Sequence, residues 1–216
     1  MLSFSALVER WRYRFLLCLL LATILSQPLL HGRTGGQAIL ILAYGAILTG
    51  GVQATHPRQW QSGLSSILAV ALVGLSWYLL YSGSSESSLA LIAVTVLFGV
   101  FAVSRTLIAL VSEPGADADA LAGAVFGYFL LVVVWALVFR ALETWSPGSF
   151  DLSLSGDQFT ELLYFSLVTI TTLGYGDISP LTPFARIGAG LEAATGTLYI
   201  AILIARIVGA FGSRSE

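Results

Sequence analysis

The run "TITTLGYGDISPLTPF", residues 169–184, decides how this sequence is read. It gathers Thr, Gly, Tyr and Asp into a chain whose mean hydropathy is +0.87. It ends in a turn punctuated by Pro180 and Pro183, and apolar segments flank it on both sides. Hydrophobic residues fill 56% of the 216 positions and charged residues only 10%, a balance that belongs in a bilayer and not in a water-soluble domain.

Apolar stretches long enough to cross about 30 Å of hydrocarbon as helix are expected at residues 11–30, 36–54, 61–81, 88–111, 119–143 and 184–211. A seventh run, 157–170, is too short to span. It is expected to be a re-entrant helix, because irregular backbone at membrane depth persists only where protein buries it or water lines it. Ser155 with Gln158 is read as the capping box that starts this helix, and its partially negative carboxyl end, which favours a cation, falls just before "TLGYG". Gly174 and Gly176 accept positive φ at little cost. Alternating dihedrals there would turn the carbonyls of Thr172, Leu173, Gly174 and Tyr175 the same way, as a cation pathway requires.

At these residues the sequence resembles the potassium channel superfamily: "TLGYGD", residues 172–177, matches its T-x-G-Y-G-D signature. The resemblance covers residues 119–212 as outer helix, pore helix, filter and inner helix, and "LEAATGTLYIAILIARIVG" is similar to the inner helix of bacterial members. It implies an all-α integral membrane fold, with six transmembrane helices plus a re-entrant pore helix and selectivity filter. It further implies potassium ions bound at Thr172, Leu173, Gly174 and Tyr175, with Gly176 completing the filter and Asp177 bracing the outer mouth. Since one chain supplies one filter strand, it implies a homotetramer. Gly196 matches the position of the family's hinge glycine, although a small residue there also permits close helix packing. Two departures stand out. Tyr164 and Phe165 replace a frequent Trp-Trp pair, Tyr164 keeping a hydroxyl within possible reach of Asp177, and Val168 replaces a Glu found in some members.

The block 1–116, four apolar segments, is expected to form a transmembrane domain resembling a voltage-sensor layout, and 117–216 the pore domain; the acid-rich turn "SEPGADADA" separates them. The fourth segment holds one basic residue, Arg105, and the second and third hold no Asp or Glu. Voltage sensing draws on several charges per subunit, and a single Arg near a helix end snorkels to the interface, so steep voltage gating is not expected. Arg10, Arg12, Arg14, Arg58, Arg105, Arg206 and Arg214 fall on one side and Arg33, Arg140 and Arg186 on the other. The positive-inside bias then puts both termini in the cytoplasm of a multi-pass cell-membrane protein. The basic flank and apolar core of the first segment also suit a secretory signal, but its length and the spans after it favour a retained helix. No soluble ligand-binding domain is expected within the chain.

Glu192, an ionisable group inside a span, is a structural or regulatory candidate. It either accepts hydrogen bonds behind the pore helix or pairs with an arginine such as Arg186. The expected function is passive potassium-selective conduction, with potassium as permeant ligand and no organic cofactor. The alternatives are a weakly selective cation channel, owing to the altered residues at 164 and 165, or a coupled ion transporter, for which midplane carboxylates and internal repeats are the sign; Glu192 is the only such group and no repeat is visible. An enzyme is not expected, since serine chemistry needs a base within hydrogen-bond reach of the nucleophile and neither His31 nor His56 lies inside a span. A net charge of −2 argues against nucleic-acid partners and leaves the lipid bilayer as the surrounding partner.

Overall fold

The computed structural model describes residues 4–30, 35–55, 85–112, 118–153 and 157–212. Among them lie six helices: α1 (Phe4–Leu30), α2 (Gly36–Thr55), α3 (Ser85–Ser112), α4 (Ala118–Trp145), α5 (Gln158–Ile170) and α6 (Pro183–Gly212). These correspond to five of the expected spans and the re-entrant helix. The remaining expected span, 61–81, and the turn at 113–117 lie outside the described residues.

Helix is the dictated solution for such a chain, because lipid offers no partner for a free backbone N–H or C=O. Among the described residues, three helices are long and apolar enough to cross a bilayer: Trp11–Leu30 in α1, Asp119–Trp145 in α4 and Pro183–Arg206 in α6. The 28 residues of α4 run for about 42 Å at 1.5 Å each. In α2 and α3 the apolar stretches among the described residues are shorter, Leu42–Gly51 and Ile92–Ile108. At 13 residues, α5 reaches only about 20 Å and cannot span.

Helix α4 is the hub, packing against α1, α3, α5 and α6, while α2 bridges α1 and α3. One continuous core joins Leu20 of α1, Ile47 of α2, Phe98 of α3, Phe126 and Leu130 of α4, Leu163 and Ile170 of α5, and Tyr199 of α6. Lipid tails are as apolar as these side chains, so close fit and cross-helix hydrogen bonds hold the bundle more than water exclusion does. Gly127 shows the fit: a Cβ there would lie 2.6 Å from the Tyr199 hydroxyl. That hydroxyl donates to the Ala124 carbonyl across 2.7 Å, tying α6 to α4.

A second, smaller core gathers α4, α5, the start of α6 and the loop after α4. Phe139 of α4, Phe150 of the following loop and Phe165 of α5 form a closed triangle with centroids 5.2, 5.2 and 5.3 Å apart. All three contacts are edge-on, the arrangement that ring quadrupoles prefer, at about 0.5–1.5 kcal/mol per pair beyond burial. The loop 146–153 is thereby fixed to the middle of α5.

Candidate ion-conduction site

The site begins at Asp157, which has extended backbone at φ −75° and ψ 115° and caps α5. Its carboxylate accepts from the Thr160 N–H at 3.2 Å and from the Thr160 hydroxyl at 2.8 Å. Asp157, and not Ser155, is therefore the cap. A side chain directly before the first helical residue reaches the N–H three positions on, and Gln158 is already inside the helix; Ser155 itself lies outside the described residues.

At the other end the chain does not simply leave the helix. The N–H of Thr172 donates to the Thr169 carbonyl at 2.9 Å, and those of Leu173 and Gly174 both donate to the Val168 carbonyl, at 3.0 and 3.2 Å. Val168 thus holds Leu173 and Gly174 against the end of α5. From there positive φ alternates: Thr172 at 59°, Gly174 at 58° and Gly176 at 80°. The two glycines enter that region without strain. Thr172 is β-branched and does not, so its conformation is imposed by the hydrogen bonds around it.

Beyond Gly176, the Tyr164 hydroxyl donates to Asp177 Oδ2 at 2.7 Å. This bond holds the Asp177 carboxyl below its ordinary range and pushes the Tyr164 phenol up to about 12. The chain then pairs with the loop after α4: the Asp151 N–H donates to the Ser179 carbonyl at 2.9 Å and the Leu181 N–H to the Ser149 carbonyl at 2.8 Å. The buried Glu143 in turn organises that loop, accepting from the N–H groups of Gly148 at 2.8 Å and Phe150 at 3.1 Å.

On the other side of α5 three helices meet. The Tyr128 hydroxyl of α4 donates to the Ile170 carbonyl at 3.2 Å, and Ser166 of α5 reaches both the Val132 carbonyl of α4 at 2.9 Å and Glu192 Oε1 of α6. Glu192 is fully buried and does not meet Arg186, whose Nε donates instead to the Pro180 carbonyl at 3.2 Å. Gly196 sits where α6 touches the end of α5: a Cβ would fall 2.5 Å from the Ile170 carbonyl oxygen. Arg105 lies half-buried in α3, apart from this assembly.

The fold therefore gathers Tyr164, Thr172 to Asp177, Glu192 and Gly196 around the middle and carboxyl end of one short helix. Glu143, Tyr128, Ser166 and Tyr199 escaped the sequence reading. A glutamate just before the "WSPGS" turn, and a serine in the middle of a short apolar helix, were the available signals. Among the described residues, no group of three or more His, Cys, Asp or Glu is arranged to hold a metal ion.

Residues 127–212 match the ion channel family. Over 87 residues the chain is 33% identical to the potassium voltage-gated channel protein shk-1 of Caenorhabditis elegans, covering 40% of this chain and 15% of that one. It is 32% identical over 82 residues to two-pore potassium channel 4 of Arabidopsis thaliana, covering 37% and 29%. It is also 32% identical over 88 residues to the inward rectifier potassium channel Kirbac3.1 of Paramagnetospirillum magnetotacticum, covering 39% and 27%. The chain thus spans less than a third of the length of these curated relatives. No solved structure matches it. The family match covers α6, α5, the segment between them and most of α4, and together with these relatives it supports a likeness to the potassium channel superfamily.

Proposed function

We propose that four copies of this chain assemble around a common axis into a passive, potassium-selective pore. The observation that carries this reading is the alternation of positive φ at Thr172, Gly174 and Gly176, directly after the carboxyl end of α5. Such alternation aligns successive carbonyls, and a ring of aligned carbonyls replaces the water shell of a dehydrated cation. Thr172, Leu173, Gly174 and Tyr175 hold the ions, Gly176 closes the outer site, and Asp177 with Tyr164 braces the mouth.

The exposure of these residues supports tetramerisation. Every residue from Thr171 to Asp177 is exposed in the single chain, Tyr175 to 68%, and a lone strand cannot surround an ion. Helix α6 likewise leaves Ile187, Leu191, Leu198 and Ile202 exposed, a face that neighbouring inner helices and lipid cover. The block 1–116 forms a transmembrane domain beside the pore domain 117–216, and with only Arg105 in its last helix it confers no steep voltage dependence. The protein lies in the cell membrane with both termini cytoplasmic.

The test is the reversal potential of purified protein in planar bilayers under opposed potassium and sodium gradients. Reversal at the potassium equilibrium potential is expected. Reversal near zero would instead establish a weakly selective cation channel, and movement with a proton or sodium gradient in fixed ratio would establish a coupled transporter.

A further inference from the structure

We propose that Glu192 carries a proton and acts as a hydrogen-bond donor, locking the pore helix between outer and inner helices so that the filter holds its conductive shape. The inference rests on the potassium-pore reading for what the lock does, but not for how the lock is built.

Proton counting around Ser166 makes the case. A serine hydroxyl has one proton to donate, yet Ser166 Oγ lies at hydrogen-bond distance from both the Val132 carbonyl and Glu192 Oε1. A backbone carbonyl only accepts, and an ionised carboxylate only accepts. With Glu192 ionised, one proton would face two acceptors and one contact would be unfavourable. With Glu192 neutral, its acid proton goes to Ser166 Oγ and the serine proton goes to Val132, giving two bonds in series.

The surroundings agree. Glu192 is fully buried within one chain, so no neighbouring subunit is needed to define its partners. Oε2 finds no hydrogen-bond partner. An ionised carboxylate with an unpaired oxygen in such a place is far costlier than a neutral acid carbonyl. Among the described residues, α4 brings the Tyr128 phenol into electrostatic reach, α5 brings only the Ser166 hydroxyl, and no basic side chain pairs with Glu192.

The position explains the consequence. Ser166 precedes by two residues Val168, whose carbonyl receives the N–H groups of Leu173 and Gly174. The series Glu192, Ser166, Val132 therefore fixes the rotation of α5 just where the filter hangs from it. Glu192 touches no ion; it is a positioning residue.

The experiment pairs infrared spectroscopy with single-channel recording on the full-length tetramer. At neutral pH the wild-type minus Glu192→Gln difference spectrum is expected to show the carbonyl stretch of a protonated carboxylic acid. Glutamine retains an N–H donor and should preserve potassium selectivity and conductive occupancy. Glu192→Ala should lower the conductive fraction roughly fivefold or more, the scale of one lost buried hydrogen bond, and Ser166→Ala should do the same. A carboxylate band without an acid band overturns the proposal, as does wild-type conduction in Glu192→Ala. Should Glu192→Ala fail to assemble, the difference spectrum and the glutamine variant still decide. Absence of potassium current in the wild type would defeat the pore reading instead, leaving the spectrum to judge the proton.

Discussion

The hydroxyl of Tyr164, two turns before the end of the pore helix, donates to the carboxylate of Asp177 across 2.7 Å and spans the filter from behind. Inward of that bond the Val168 carbonyl holds Leu173 and Gly174, and outward of it Ser179 and Leu181 are pinned to the loop after α4. The strained positive φ of Thr172 is thus maintained by fastenings at both ends of a seven-residue stretch and not by the glycines alone. Loss of either fastening releases the strain, and the filter is expected to leave its conductive shape.

Tyr164→Phe removes the outer fastening while keeping the ring. Because the hydrogen bond holds the Asp177 carboxyl low, its contribution is fully present above the ordinary carboxylate range. It is lost as pH falls through the depressed value. Wild-type current should therefore survive external acidification into the ordinary carboxylate range and fail only below it. In Tyr164→Phe the midpoint of that loss should move to higher pH, with faster current decline at every pH. On the alkaline side the phenol, raised from 10.0 to about 12, keeps its proton, so conduction should be flat up to pH 10. Current recorded against external pH checks both limbs, and coincident acid limbs would show that Tyr164 does not govern Asp177.

Asp157→Ala should destabilise the pore helix at its other end. The carboxylate serves two donors of Thr160, and removal of such a cap costs about 0.5–2 kcal/mol. Thermal unfolding of the detergent-solubilised protein should shift down accordingly, while Ser155→Ala should leave it unchanged. A larger effect from Ser155→Ala would return the cap to the position that the sequence pattern favours.

Glu143 offers a sharper test of the loop. Glu143→Ala leaves the N–H groups of Gly148 and Phe150 without their acceptor, at about 1–3 kcal/mol for the buried Phe150 group left unsatisfied, while the exposed Gly148 N–H turns to water. Glu143→Gln keeps one acceptor oxygen and should lose about half as much. Hydrogen exchange at the two amides should rise in both variants, more in alanine, and unchanged protection would show that the loop is held by the Phe139, Phe150 and Phe165 rings alone.

What the sequence disclosed follows from what one dimension encodes. Hydropathy switches abruptly at Ala118, Gln158 and Pro183, so these three helices begin within a residue of where the pattern puts them, whereas α1 and α3 begin earlier, at Phe4 and Ser85, than the expected 11 and 88. "TLGYGD" specifies backbone conformation through its own glycines and so is legible locally. Cross-helix partners are not: whether Glu192 meets Ser166 or Arg186 depends on the rotation of α6 about its axis, and an apolar helix with no polar face leaves that rotation unmarked. The cap was misplaced for a related reason, since Ser155 and Asp157 both carry suitable oxygens and only the true first turn distinguishes them. The first core's continuity from α1 to α6 was equally hidden, because Leu20, Ile47 and Phe98 look the same in sequence whether they face lipid or a neighbour.

Gly196 lies where two accounts of the inner helix part. As a hinge, it would supply backbone freedom, and Gly196→Ala would alter opening while leaving the filter intact. The close approach of α6 to Ile170 argues for a packing role: an alanine Cβ would sit 2.5 Å from both the Ile170 carbonyl oxygen and Cγ1. The oxygen belongs to the last residue of the pore helix and also accepts from Tyr128, so the clash cannot be relieved by a side-chain rotation alone. Overpacking of this kind costs about 1–3 kcal/mol, and it falls two residues before the strained Thr172. Gly196→Ala should therefore lower tetramer thermal stability and reduce potassium selectivity together. Selectivity held at the wild-type value with a changed open probability would assign Gly196 to the hinge.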